Sequence, residues 1–145
     1  VGLKLPSRDD RMHLVDMTKA QQAVYSELRE LAEESAGKKD ATGDAHIFAI
    51  MDKMNKAALD LSLLDEKHAG ADSPKYKELA KQCVDGAKEG GQIVFSEYIA
   101  SHDKIVQALV DAGFKREEIG VINAQVAAFF VKFRLQRQAS ATGKP

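Results

Sequence analysis

The sequence predicts an all-α protein: an antiparallel up-down-up-down four-helix bundle, formed as one helical-bundle domain over residues 1–145. Three observations carry that expectation. Apolar residues recur at alternating three- and four-residue steps through most of the chain. Strand-like alternation is almost absent, and the connections are short and polar, which favours antiparallel neighbours.

Residues 1–7, VGLKLPS, read as an extended lead-in, with Pro6 restricting Leu5 and Ser7 placed to cap the first helix. That helix is expected over 8–36, where Leu14, Met17, Gln21, Val24, Leu28, Leu31 and Ser35 keep helical spacing. Gly37 and the polar run after it supply a turn. Asp44 suits the cap of a second helix over 45–69, whose stripe is Ile47, Ile50, Met54, Ala57, Leu61, Leu64 and His68, widened by Phe48, Met51 and Ala58.

Ser73 followed by Pro74 marks a third start, since proline suits the first helical position. Tyr76, Ala80, Cys83, Ala87, Gly90, Val94, Tyr98, Ile105 and Leu109 stay in phase, so one long helix is expected over 74–111. Gly86, Gly90 and Gly91 weaken its middle, which predicts a kink there, with two shorter helices as the alternative. Gly113 closes that segment.

The fourth helix, expected over 117–138, is apolar on two opposite faces. One carries Ile119, Ile122, Val126, Phe129 and Phe133; the other carries Val121, Ala124, Ala128, Val131 and Leu135. A helix of this kind is usually covered on both sides. Either the chain wraps it, or Val121, Ala128, Val131 and Leu135 meet a protein partner or a second copy. The last residues, ASATGKP, read as a frayed tail.

The composition, 44% hydrophobic and 30% charged with three prolines and no tryptophan, is that of a soluble helical protein. A net charge of −1 gives no whole-protein field toward nucleic acid or an anionic membrane. Charge is uneven, however: six Lys and Arg against two Glu after Gly113 make that part +4 and the remainder −5. Lys132, Arg134, Arg137 and Lys144 come without a matching aromatic platform or a recognised motif, and they suit the negative end of a helix better than a nucleic-acid face. Glu27, Glu30, Glu33 and Glu34 read as a solvated helix face. No apolar run reaches the roughly 18 residues that would insert in a membrane. The chain begins at Val1 rather than Met, which is compatible with an exported mature protein and leaves the compartment unknown.

Few residue patterns point to chemistry. Asp10 with His13 and Asp65 with His68 repeat an Asp-x-x-His spacing at one end of the expected bundle, where two imidazoles and two carboxylates could face a metal. Bundle metal sites instead combine mid-helix Glu-x-x-His pairs with further glutamates, so these pairs read as helix-end residues and no metal is assigned. His46 and His102 offer the same reading with less support. The Cys-x-x-Cys-His run of covalent haem is absent, and Met12, Met17, Met51 and Met54 read as core filler. Cys83, the single cysteine, sits on the apolar stripe with no neighbouring base. Gly90 and Gly91 lack the strand and spacing of a phosphate loop. No catalytic residue and no cofactor is assigned. The expected function is a non-enzymatic interaction module, with a metal- or small-ligand-binding bundle, such as an extracytoplasmic sensor or carrier, as the alternative.

Overall fold

The first helix begins at Lys19, eleven residues later than its apolar spacing suggests, because Thr18 caps it. Thr18 Oγ1 accepts the Gln21 N–H at 3.1 Å and Gln21 Oε1 accepts the Thr18 N–H at 3.0 Å, the reciprocal bonds of a capping box. The Gln22 N–H then reaches the Thr18 carbonyl at 2.9 Å to start the helical ladder. Ahead of it the chain is not helical, and Arg8 pairs with Asp10 and Arg11 with Asp9. Residues two apart do not face each other on a helix, so these pairs belong to non-helical backbone.

The protein is described by a computed structural model over residues 2–36 and 41–124, with backbone alone for 41–45. Among the described residues every regular element is helical. The four α-helices are α1, Lys19–Ala36; α2, Ala41–Leu59; α3, Pro74–Gly86; and α4, His102–Asp111. The chain divides into two compact units, Val1–Lys75 and Tyr76–Pro145.

In the first unit α1 and α2 pack antiparallel, with the start of α1 against the end of α2. Gln21, buried, donates its Nε2 hydrogen to the Ala57 carbonyl at 3.0 Å. Ile50, Ala57 and Leu61 are buried on the α2 side; Val24, Tyr25, Leu28 and Ala32 are half-buried on α1. Phe48 and Met51, expected to widen the buried face of α2, are exposed. The methionines do not fill the core either: Met12 is exposed and Met17 and Met54 are half-buried.

Helix α2 begins at Ala41, so Asp44 lies within it. It stops at Leu59 rather than near residue 69, because aspartates divert the backbone. The fully buried Asp60 accepts the Ser62 N–H at 2.9 Å, and Asp65 accepts the Lys67 N–H at 3.0 Å. Each caps a single 3₁₀ turn, Leu61–Leu63 and Glu66–His68, in place of a continued helix. The open carbonyls of the last α2 turn are taken locally and from a distance: Lys56 by the Asp60 N–H, Ala57 by Gln21, and Leu59 by the Ser73 hydroxyl at 2.6 Å.

In the second unit the expected single helix over 74–111 is two helices. The buried face of α3 is Tyr76, Ala80 and Cys83, and that of α4 is Ile105 and Leu109. Between them Gly90 takes φ +140°, open to glycine and strained for any other residue. Gln92 Nε2 donates to the Cys83 carbonyl at 2.7 Å, filling an acceptor left open by the end of α3. A side chain at position 86 would strike the Gln92 amide, which lies 2.8 Å from the Cβ site. Helix α4 ends in a Schellman motif: Gly113 at φ +110°, its N–H on the Val110 carbonyl at 3.0 Å, and the Phe114 N–H on Leu109 at 3.1 Å.

Candidate protein-contact surface

The helix expected over 117–138 does not begin at residue 117. Arg116–Glu118 form one 3₁₀ turn, closed by the Lys115 N–H donating to Glu118 Oε2 at 3.2 Å. Ile119 follows in extended backbone at φ −105°, and helix resumes only at Ala124, where the described residues stop. Gly120 and the β-branched Ile119, Val121 and Ile122 are poor helix formers, which accounts for the delay.

Of the four residues expected at the contact, Val121 is half-buried. It lines a cavity of about 170 Å³ with Val94, Phe95, His102, Ile105 and Leu109, among others. Ala128, Val131 and Leu135 lie outside the described residues. A second cavity of about 400 Å³ adjoins the first, sharing Val94, Leu109, Ile119 and Gly120, and reaches Cys83, Gln92 and Phe114. Its walls are mostly apolar side chains and glycine backbone.

Around these cavities the apolar surface is open. Ile93 is 81% exposed, Phe95 91% and Ile122 87%. Ile93 and Phe95 were not among the expected contact residues, because they fall off the helical stripe that runs through Val94. The signal for them was local: a β-branched and aromatic run, Ile93-Val94-Phe95, shortly after two glycines. Ser101, fully buried, anchors the start of α4 by donating to the Tyr98 carbonyl at 2.6 Å, with the Ser96 hydroxyl also at 2.6 Å.

The remaining candidates separate. Asp10 is exposed and pairs with Arg8 at 2.8 Å; Asp65 is engaged in capping. The Lys67 N–H holds the Asp65 carboxyl below its ordinary range; desolvation opposes it, and the Lys67 ammonium adds to the lowering. His13 and His46 are exposed, and His68 is half-buried in the second 3₁₀ turn. His102 Nδ1 is buried without a hydrogen-bond partner. No three His, Cys, Asp or Glu side chains among the described residues gather into a group able to hold a metal ion. Burial pushes the Cys83 thiol up, which leaves it in the protonated, unreactive form at neutral pH. No helix among the described residues is long and apolar enough to cross a membrane.

No protein-family model, no curated protein and no solved structure matches the chain.

Proposed function

We propose that this protein is a non-enzymatic helical interaction module. It acts through a protein contact, with a second copy or a partner, that includes the segment 117–138 and the apolar surface beside its start. Within the first unit the antiparallel pairing of α1 and α2 supports the helical-bundle reading. The observation that carries the contact is the exposure of Ile93, Phe95 and Ile122 around a groove that Val121 lines. Exposed aromatic and aliphatic side chains next to a concave apolar surface are the usual anchors of a protein interface.

Native mass spectrometry and sedimentation velocity on protein purified without added metal test it. A stable dimer or complex is expected, which Val121→Glu or Val131→Glu dissociates while far-UV circular dichroism stays unchanged. A concentration-independent monomer that carries no partner overturns it.

The second reading, a small-ligand-binding bundle, is favoured by the cavity of about 400 Å³, within the usual size of ligand sites. A monomer with retained extra mass, whose thermal stability rises on adding the identified molecule, would support that reading over the first.

A further inference from the structure

We infer that α3 and α4 have a second arrangement, in which residues 87–101 become helical, joining them into one helix over 74–111 that pairs antiparallel with a second copy of this chain. This pairing is distinct from the contact proposed for segment 117–138 and does not depend on it. Pattern and structure disagree between the two helices. Tyr76, Ala80, Cys83, Ser101, Ile105 and Leu109 are buried, lie on two separate helices or the turn before one, and yet share a single helical phase. Ala87, Gly90, Val94 and Tyr98, in the stretch that is not helical, continue the same phase. Two helices broken for good have no reason to keep a common register across the break.

The break is held at three places, by Gly90, by Gln92 and by the Ser96–Ser101 hydroxyl pair ahead of α4. Gly90 holds it at φ +140°, and the Gln92 amide closes the end of α3 on the Cys83 carbonyl at 2.7 Å. No backbone hydrogen bond joins Gly91–Glu97 to another part of the described chain. Cys83 of α3 and Leu109 of α4 line one cavity of about 400 Å³, so the two helices are not closely packed against each other at that point. Glycine disfavours helix, and two of them in succession keep the equilibrium on the broken side in the isolated chain.

The joined helix suits a second copy for two reasons. Gly90 and Gly91 stand next to its midpoint, where the small residues of two antiparallel helices would meet and let the backbones approach closely. The halves also differ in charge. Residues 74–92 hold four lysines against three acids, and 93–111 hold three acids against one lysine, so antiparallel pairing sets the basic half on the acidic one.

Replacing both glycines, Gly90→Ala with Gly91→Ala, tests this. Far-UV circular dichroism should gain helix equivalent to residues 87–98, and sedimentation velocity should show a dimer that Val131→Glu in the same background leaves intact. Unchanged or lowered helicity overturns the joined helix, and a helical gain in a monomer overturns the pairing. Should the double variant fail to fold, Gln92→Ala keeps both glycines and removes only the latch. It should shift helicity and mass the same way to a smaller extent, and no shift in either overturns the inference.

Discussion

The amide of Gln21 joins two helix ends at once: its Oε1 accepts the Thr18 N–H at 3.0 Å and its Nε2 donates to the Ala57 carbonyl at 3.0 Å. One side chain therefore fixes where α1 starts and fills an acceptor that the end of α2 leaves open. Gln21 is buried, so both bonds lie away from bulk water. Gln21→Ala should cost about 2–3 kcal/mol, adding a lost cap to a buried carbonyl without a donor. Thr18→Ala should cost about 1 kcal/mol, since it removes the cap alone. Urea titration followed by circular dichroism separates the two; equal midpoints would mean that the Ala57 bond contributes nothing.

Gly113 ends α4 at φ +110°. Gly113→Ala forces a side chain into that region and should destabilise the protein by roughly 1–2 kcal/mol. Gly120→Ala meets open space at ordinary backbone angles and should change stability far less. Thermal melts of the pair read the contrast, and similar losses in both would contradict the Schellman assignment.

His102 carries a buried nitrogen that no hydrogen bond satisfies. His102→Phe removes that polar atom from its apolar surroundings, so stability should hold or rise by up to about 1 kcal/mol. A loss well beyond that size, measured in the same urea titration, would show that the imidazole makes a contact worth keeping.

Asp65 links stability to pH. Its carboxyl titrates below the ordinary range when folded, first because of the Lys67 N–H. The ionised form is therefore favoured by folding, and its contribution is complete above the unfolded-state value and is lost as pH falls through the folded-state one. Asp65→Asn keeps the capping oxygen but cannot ionise. The stability gap between wild type and Asp65→Asn should narrow as pH falls through and below the ordinary carboxylate range; a constant gap would show that the carboxylate charge plays no part.

Cys83 should react slowly with a thiol reagent in the folded protein and fast in denaturant, because burial keeps it protonated and shielded. Rapid native labelling at neutral pH would place the thiol at the surface or reveal opening of α3.

The helical class was legible from periodicity, and several ends from single residues: Pro74 opens α3 and Gly113 closes α4. Thr18 was passed over: Thr18-Lys19-Ala20-Gln21 has the spacing of a capping box, but the apolar spacing of Leu14, Met17 and Gln21 runs straight through it and placed the start at residue 8. Spacing records which face a residue would occupy if the chain were helical; it does not record whether the helix persists. Asp60 and Asp65 end α2 by a competition between side chain and backbone that spacing alone does not register. At the candidate contact, Val121 stood out because its neighbours at helical steps are apolar. Ile93 and Phe95 emerged only with the fold, because exposure is set by what lies across from a residue.

By itself, then, the sequence determined that this chain is helical, which stretches alternate in polarity, and where glycine and proline interrupt them. Tertiary structure decided which helix ends hold. The Ala57 carbonyl finds its donor in Gln21, 36 residues earlier, and the Cys83 carbonyl finds its donor in Gln92, across a turn that Gly90 makes possible. Local propensity differs between neighbouring residues by fractions of a kcal/mol, whereas an unsatisfied buried carbonyl costs about 1–3 kcal/mol. Satisfying the carbonyl therefore outweighs propensity, and it depends on partners that only folding brings together.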